Sequence, residues 1–251
     1  MTVVAIVQAR MSSSRLPGKV LLPLSDKPVL EHVFERLSYC KKIDKIVVAT
    51  SNYESDNPIV DFCNKKKISF FRGSLNDVLD RYYKSAIFYN ADTIVRITAD
   101  CPVIDPVIVD AVISGFLSGE FDYYGLGGEF PDGLDCTVFS FNAIEKAWKE
   151  AKLKSDREHV GPYIENNPNI FRSGTLDFFK GLSHHRWTLD EPHDYKLLSI
   201  IFENLYREKS PFLTHEILQF IQNNPDLSLI NSQIIRNEGY LKSLQEDNII
   251  K

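Results

Sequence analysis

Short apolar runs rich in β-branched residues alternate with longer amphipathic segments through the first half of the chain. Strands are predicted where the apolar residues are consecutive, at 3–7, 45–50, 68–71 and 93–98. Helices are predicted where apolar residues recur every three or four positions, at 28–39, 57–66, 75–89 and 106–117. This alternation, with short connections, predicts an α/β fold with a mostly parallel central sheet and helices on both faces.

The pattern changes after about residue 120. Strands are expected at 121–124, 136–141 and 186–189, and helices at 143–152, at 156–165 and through most of the tail from 192. No linker separates these segments, so the chain 1–251 is expected to form a single domain. Within it we distinguish a first part of about 1–120, a second part of about 121–210 and a helical tail of about 211–251.

The composition is close to that of an average soluble globular protein, with 43% apolar and 25% charged residues. The formal net charge of −5 argues against a duplex nucleic acid as partner, because such partners require a basic face. No apolar run approaches the roughly 18 residues of a membrane span, and no basic residue precedes the short apolar start as in a signal peptide. We therefore expect a cytoplasmic protein without membrane contact, whose four cysteines are reduced and lack zinc-site spacing.

The loop after the first predicted strand is dense in small residues and carries three cations. Its sequence is QARMSSSRLPGK, residues 8–19, and it follows the carboxyl end of a strand, where doubly wound sheets bind ligands. Arg10 and Arg15 offer forked donors to phosphate oxygens, and Lys19 offers a compact charge. The loop matches neither of the glycine-rich phosphate motifs. From these residues alone, a phosphate site and a solvated basic turn both remain open.

The longer run QARMSSSRLPGKVLLPL resembles the N-terminal motif of the sugar nucleotidyltransferases, broadly AR-x-x-S-x-RLPGK. It is most similar to the cytidylyltransferases: the CMP-KDO and acylneuraminate synthetases and, above all, the SpsF-like spore-coat polysaccharide proteins. The resemblance implies a Rossmann-like nucleotidyltransferase fold that binds CTP in the first part of the chain, and an acceptor-binding and dimerisation half after it. It implies that Arg10 and Lys19 hold the triphosphate. Ala9, Ser13 and Arg15 would then surround the nucleotide.

Two acidic stretches extend the resemblance. Asp100 follows the fourth predicted strand, where its type and position fit either a magnesium ligand or a turn former. Asp190 lies in TLDEPHD, which resembles the (V/L)-D-x-P-x-D element of the same enzymes. The matching aspartates bind catalytic Mg²⁺ in that family, so Asp100 and Asp190 are the expected metal ligands. Asp105 and Asp194 are expected to stabilise helix starts instead.

The run RGSLNDVLDRY resembles an SpsF-like element that lies near the cytosine and the ribose. Direct contact with the base is expected from Arg72 and Ser74. The alternative is an ordinary solvated helix face, because Asp77 and Arg81 form an i,i+4 pair. Both interpretations remain open from the sequence.

Acceptor binding is expected from three further stretches. These are PDGLD with Asp135, REH with Arg157, Glu158 and His159, and the start of the second acidic stretch with Arg186. The pair His184-His185 is not expected to bind a metal, because neighbouring residues on a strand point to opposite faces. Thr98 and Cys101 stand where CMP-KDO synthetases have other residues, which disfavours KDO itself as the acceptor.

The set as a whole predicts a Mg²⁺-dependent cytidylyltransferase of cell-surface polysaccharide or glycoconjugate biosynthesis. It would transfer CMP from CTP to a sugar acid, a sugar phosphate or a related polyol, with release of pyrophosphate. Related synthetases are commonly homodimers, and the same is expected here. The alternatives are a non-catalytic nucleotide- or sugar-binding module and a glycosyltransferase of related fold, although TADCPVIDP lacks the close acidic pair typical of glycosyltransferases.

Overall fold

The computed structural model describes residues 1–247, and a seven-stranded sheet forms its centre. The strands of this sheet are β1 (Val3–Gln8), β4 (Lys45–Ser51), β5 (Ser69–Gly73), β6 (Thr93–Thr98), β7 (Tyr123–Gly128), β8 (Thr137–Ser140) and β9 (Ser173–Phe179). They lie side by side in the order β5, β4, β1, β6, β8, β7 and β9. Two short strands, β2 (Pro23–Leu24) and β3 (Lys27–Pro28), form a separate antiparallel pair.

Helices connect and flank the strands. They are α1 (Val29–Leu37), α2 (Asn57–Lys66), α3 (Val78–Phe88), α4 (Pro106–Leu117), α5 (Phe141–Glu150), α6 (Lys154–His159), α7 (Pro162–Glu165), α8 (Pro192–Leu205), α9 (Thr214–Asn223) and α10 (Glu238–Gln245). Single 3₁₀ turns occur at Lys19–Leu21, Glu54–Asp56 and Pro225–Leu229. Within residues 1–247, none of the helices has the length and apolar character needed to cross a membrane.

Strands β5, β4, β1 and β6 are parallel, as the alternating pattern predicts. In the register of the sheet, Gln8 at the end of β1 lies opposite Ala49 of β4 and Thr98 of β6. The loops that follow β1 and β6 therefore leave the sheet side by side. This register brings the basic loop and Asp100 to the same edge of the sheet.

Apolar residues cover both faces of the sheet, which explains the uninterrupted apolar strands. Along β1, Val4 and Ile6 belong to one buried cluster, whereas Ala5 and Val7 belong to the other. Helices pack over both faces, so the predicted α/β class with a mostly parallel sheet is confirmed. The three-part division of the chain stays a prediction.

Two predicted elements of the second half are corrected, and one further strand was not predicted. Residues 186–189 do not form a strand, and only one isolated bridge joins Arg186 to Asp132. All four residues there are buried, and Trp187 and Leu189 pack into the core without forming a strand ladder. The helix expected at 156–165 breaks into α6 and α7, because the backbone turns sharply at Val160, which has a positive φ of 70°. Strand β9 was not predicted, since its outward-facing positions and Gly174 break the apolar pattern.

Candidate active site

A cavity of about 610 Å³ opens where β1 and β6 end. Its walls come from the basic loop, the ends of these two strands and helices α3, α6 and α10. The predicted site residues that line it are Ala9, Arg10, Ser13, Arg15, Lys19, Asp100, Glu158, His159 and Asp190. Its volume lies in the range of about 300–1,000 Å³ that is usual for small-molecule sites.

The ammonium group of Lys19 joins the two aspartates that the sequence analysis singles out. Its Nζ lies 2.5 Å from Oδ2 of Asp100 and 2.7 Å from Oδ1 of Asp190. Because both oxygens contact one nitrogen, they are separated by at most about 5.2 Å. The two carboxylates therefore converge on one cation beside the basic loop.

The segments that carry Asp100 and Asp190 are joined through the backbone. The N–H of Leu189 donates a 2.8 Å hydrogen bond to the carbonyl oxygen of Asp100. The hydroxyl of Thr188 also reaches this oxygen, at 3.3 Å. These contacts hold the stretch before Asp190 against the end of β6, although that stretch is not a strand.

The charges of Lys19 and Asp100 stabilise each other. Burial raises the pKa of Asp100, but the charge and the hydrogen bond of Lys19 outweigh this effect and hold it at about 2. Burial lowers the pKa of Lys19, but the charges and hydrogen bonds of Asp100 and Asp190 together raise it by more. The pKa of Lys19 therefore lies above its usual value. Both groups are therefore charged at neutral pH.

Asp190 is held by a buried network behind it. Asp194 is fully buried, and its carboxylate accepts hydrogen bonds from the backbone N–H groups of Asp190 and Glu191, both at 2.9 Å. Arg186 donates to Asp194 at 3.0 Å, to Asp190 at 3.0 Å and to Asp132 at 2.7 Å. Asp194 thus stabilises the start of α8, as expected, and also fixes the position of Asp190.

The basic loop has a defined conformation. Gly18 adopts the left-handed conformation with φ 72°, which glycine tolerates at no steric cost. The N–H of Met11 donates to the fully buried carboxylate of Asp56 at 2.7 Å. The hydroxyl of Ser13 accepts a hydrogen bond from the N–H of Leu16 at 3.2 Å. The loop is therefore anchored to the neighbouring strand connection and not freely solvated.

Two polar side chains of the cavity, Gln8 and Arg81, were not predicted as site residues. Arg81 is 1% exposed, donates from Nη1 to the carbonyl of Ser74 at 2.8 Å, and has no partner for its Nε among residues 1–247. The Oε1 atom of Gln8 also lacks a partner in this part of the chain. The alternative of a solvated helix face with a surface pair of Asp77 and Arg81 is wrong, because Arg81 is buried and Asp77 instead binds Arg157.

A family profile described as Cytidylyltransferase matches residues 4–228, which include the basic loop, Asp100 and Asp190. This chain belongs to the cytidylyltransferase family. The spore coat polysaccharide biosynthesis protein SpsF of Bacillus subtilis is 32% identical over 229 residues, which are 88% of this chain and 94% of that protein. This relation confirms the predicted resemblance and the nucleotidyltransferase class of enzyme.

Two further relatives of this cytidylyltransferase cover almost its whole length. An uncharacterized protein of Methanocaldococcus jannaschii is 41% identical over 242 residues, which are 96% of this chain and 98% of the relative. The solved structure of a cytidylyltransferase from Leptospira borgpetersenii has a TM-score of 0.87 at 34% identity. It covers 94% of this chain and 100% of its own. The nucleotidyltransferase fold is thereby confirmed.

Several residues predicted for the base or the acceptor do not line the cavity of this cytidylyltransferase. Arg72 donates to the carbonyls of Ser51 at 2.9 Å and of Tyr53 at 2.8 Å. Ser74 accepts a hydrogen bond from the N–H of Asp77 in the turn before α3, and Asp77 rather than Ser74 caps that helix. These contacts shape the turn beside Arg81.

Some of the residues predicted to bind the acceptor line the cavity of this cytidylyltransferase, and others do not. Arg157 turns away from the cavity and pairs with Asp77, while Arg186 is buried behind Asp190. Asp135 accepts a hydrogen bond from the N–H of Gly133 at 3.0 Å within its own turn. Among these residues, Glu158 and His159 reach the cavity.

The adjacent histidines of the second half do not lie on a strand, so the expected reason for excluding a metal there is wrong. The rings of His184 and His185 are 4.1 Å apart between centroids, within a turn. Across residues 1–247, no cluster of three or more histidine, cysteine, aspartate or glutamate side chains is arranged to hold a metal ion.

Proposed function

We propose that this cytidylyltransferase transfers CMP from CTP to a sugar-like acceptor and releases pyrophosphate. The observation that carries the proposal is the convergence of Asp100 and Asp190 on the ammonium of Lys19, beside a loop with two more cations. A non-catalytic binding module has no need for two half-buried carboxylates around one cation. An enzyme that works on a metal-bound triphosphate requires that arrangement.

The donor set around Lys19 fits Mg²⁺. Two carboxylate oxygens already converge on one positive charge, and Mg²⁺ typically takes one or two carboxylates and completes its shell with water and substrate phosphates. We propose that Asp100 and Asp190 hold the ion. When bound, Mg²⁺ supplies charge neutralisation at the phosphates. Lys19, relieved of its carboxylate partners, would then donate to the triphosphate.

The basic loop supplies the remaining contacts to the triphosphate in this proposal. Arg10 is 44% exposed and pairs with Glu158 only at 3.5 Å, so its guanidinium is available to a ligand. Arg15 also faces the cavity, where it pairs with Asp190 at 3.2 Å and with Glu238 at 2.7 Å. Ser13 and the neighbouring serines line the same wall and offer hydroxyl donors. Three cations around one triphosphate would stabilise the charge that builds on the leaving pyrophosphate.

Recognition of the base is assigned to Gln8 and Arg81. Both side chains line the cavity, and each has one buried atom without a hydrogen-bond partner in residues 1–247. The Oε1 atom of Gln8 can accept a hydrogen bond from the amino group of cytosine. The Nε–H of Arg81 can donate a hydrogen bond to the acceptor atoms of the cytosine ring. Ser74 would support this contact indirectly, because its carbonyl accepts a hydrogen bond from Arg81.

The reaction itself needs little covalent help from the protein. An oxygen of the acceptor attacks the α-phosphorus, and the bond between the α-phosphorus and the oxygen that bridges it to the β-phosphate breaks. Pyrophosphate leaves with the bonding electrons, and an acceptor that attacks through a hydroxyl releases its proton to water. Positioning of the reactants and neutralisation of charge supply the rate enhancement. The name of the B. subtilis relative supports a role in polysaccharide biosynthesis.

A pyrophosphate-release assay with CTP, Mg²⁺ and a panel of sugar acids, sugar phosphates and polyol phosphates tests the proposal. Release of pyrophosphate with at least one acceptor, and selectivity for CTP over the other nucleoside triphosphates, are the expected results. Binding of CTP without turnover of any acceptor would support a binding module. Activity only with a nucleotide-sugar as donor would support a glycosyltransferase.

A further inference from the structure

We propose that α10 forms the acceptor wall of the active site, and that Lys242 of α10 and Lys154 of α6 select an acceptor by its anionic group. The inference rests on the proposed function, because it concerns the other end of the same cavity. It gives a role to part of the helical tail, to which the sequence analysis assigns none.

One face of α10 lines the cavity. The residues concerned are Glu238, Gly239, Lys242, Ser243 and, one position past the helix, Glu246. Their spacing of four residues is that of a single helical face. A side chain added at Gly239 would meet no other atom within 4 Å. The helix therefore borders the cavity with open space in front of its first turn.

Helix α10 is docked on α6, the helix that carries Glu158 and His159. Asp247 accepts two hydrogen bonds from Ser155, one from the backbone N–H at 2.8 Å and one from the hydroxyl at 2.7 Å. The Nε2 of His159 and the hydroxyl of Ser243 are hydrogen-bonded at 3.0 Å. The ring of Tyr240 packs edge-on against His159. These contacts hold α10 in a fixed position, where it forms one wall of the site.

The chain before α10 is anchored as well. Asn231 is 4% exposed and donates to Asp194 and to the carbonyl of Arg186, both at 2.9 Å. Arg236 donates to the carbonyl of Phe130 at 2.8 Å. The tail thus starts from the network that holds Asp190 and crosses to α6 on the other side of the cavity.

The charges on this wall favour an anionic ligand. The ammonium groups of Lys154 and Lys242 lie 3.6 Å and 3.9 Å from the carboxylate of Glu246, so two positive charges share one negative charge. Their side chains are 43% and 72% exposed, which leaves them accessible. Glu158 and Glu238 of the same wall are paired with Arg10 and Arg15, so a carboxylate or a phosphate on the acceptor would meet the second positive charge of the two lysines.

The wall adjoins the loop that we assign to the triphosphate. Glu238, the first residue of α10, binds Arg15 at 2.7 Å, and Glu158 of α6 approaches Arg10 at 3.5 Å. These two carboxylates can also accept hydrogen bonds from sugar hydroxyls. An acceptor seated on α6 and α10 would therefore lie next to the phosphates that it must attack.

Helix α10 lies beyond the region that the family profile matches. That region ends at residue 228, whereas the basic loop, Asp100 and Asp190 fall inside it. The shared part of the chain thus contains the groups assigned to the nucleotide together with Lys154 of α6, whereas Lys242 and the rest of α10 lie outside it. A helix outside the shared region is a suitable place for residues that determine specificity for the acceptor.

The test compares acceptor kinetics of a double variant, Lys154→Ala with Lys242→Ala, with those of a matched control. The control is Lys146→Ala, which removes a lysine of α5 that is 44% exposed and does not line the cavity. The probes are N-acetylneuraminate, 3-deoxy-manno-octulosonate and glucose 1-phosphate, with N-acetylmannosamine and glucose as neutral counterparts. Acceptor binding is measured by calorimetry with a non-reactive α,β-methylene analogue of CTP and Mg²⁺ bound, and turnover by pyrophosphate release with CTP itself.

We expect at least one anionic probe to bind and its neutral counterparts to fail. In the double variant, the KM for that anionic probe should rise about tenfold or more, while the KM for CTP stays within about twofold. The control should keep both values. A second variant, Gly239→Leu, should fill the open space before α10 and raise the acceptor KM without changing that for CTP.

The inference is overturned if the double variant keeps the acceptor KM, if it raises both KM values equally, or if neutral sugars bind as well as anionic ones. CTP binding without binding of any anionic probe would overturn the inference alone. Absence of CTP binding would overturn the proposed function, and this inference with it.

Discussion

The backbone N–H of Asp190 donates a 2.9 Å hydrogen bond to the fully buried carboxylate of Asp194. The same carboxylate holds Arg186 and Asn231. Asp194 has a mainly structural role, because its carboxylate contacts the proposed metal ligand Asp190 only through the backbone N–H of that residue. This arrangement separates the residues that would act in the reaction from those that position them.

Asp194→Asn should destabilise the fold by about 3 kcal/mol, because it leaves the buried guanidinium of Arg186 without one of its charged partners. The free energy of unfolding, measured by urea denaturation, checks this value. Asp226→Asn is the control, because Asp226 is exposed in a 3₁₀ turn. Equal stability of the two variants would show that the buried network contributes little.

Asp100→Asn should reduce pyrophosphate release by at least about a hundredfold, the order expected when one charged group at a reacting centre is removed. The fold should survive, because Lys19 keeps its contact with Asp190. Steady-state kinetics with CTP and Mg²⁺ checks the prediction, with Asp61→Asn on the exposed surface of α2 as control. Full activity of the Asp100 variant would refute its assignment as a metal ligand.

Lys19→Ala should weaken CTP binding about 10- to 100-fold, the value of a hydrogen bond to a charged group. Binding of CMP should change much less, since CMP lacks the terminal phosphates that Lys19 is proposed to contact. Calorimetric titration of both nucleotides measures the two losses. Equal losses for CTP and CMP would contradict a role at the terminal phosphates.

Gln8→Leu should lower CTP affinity by about tenfold, because one hydrogen bond to the base is lost without removing any cation. Inorganic tripolyphosphate provides an internal control, since it has no base and should bind the variant as it binds the unaltered protein. Competition titrations measure both affinities. A parallel loss for CTP and tripolyphosphate would place Gln8 at the phosphates instead of the base.

Docking of α10 should weaken as the pH falls. Burial lowers the pKa of His159 to about 4, with Arg96 and Arg10 lowering it further and with Glu158 and Asp247 opposing. The folded state therefore binds the proton less readily than the unfolded chain, whose histidine titrates near 6.5. The resulting stabilisation is present above about pH 6.5 and is lost as the pH falls towards 4.

Urea denaturation between pH 7 and 4 tests this dependence, with His159→Gln as the comparison. The stability of the unaltered protein should fall more steeply than that of the variant, because the variant lacks the titrating group. Carboxylates that titrate in the same range are common to both proteins, so their contribution cancels in the difference. Parallel curves would show that His159 does not titrate in this range.

Local patterns were sufficient to predict much of the first half and the candidate loop. A helical face repeats every three or four residues and a buried strand is continuously apolar, so both can be recognised within a short window. The motif around Arg10, Arg15 and Lys19 is contiguous for the same reason. The structure places these residues at the end of β1, as predicted.

Such local patterns could not predict which residues these side chains contact. Lys19 meets Asp100 and Asp190, which are 81 and 171 positions away, and the segment before Asp190 reaches Asp100 without being a strand. Arg81 lies on a helix face that has the charge pattern of a solvated surface, yet neighbouring elements bury it. Its burial depends on the whole fold and not on its own helix.

The sequence by itself therefore determined the class of fold, the cationic loop and the family resemblance, because each is written in consecutive or regularly spaced residues. The tertiary structure decided which charges meet, which predicted contacts turn away from the cavity and where α10 lies. Strand register and chain crossings set those distances, and neither is encoded within a local stretch of the chain.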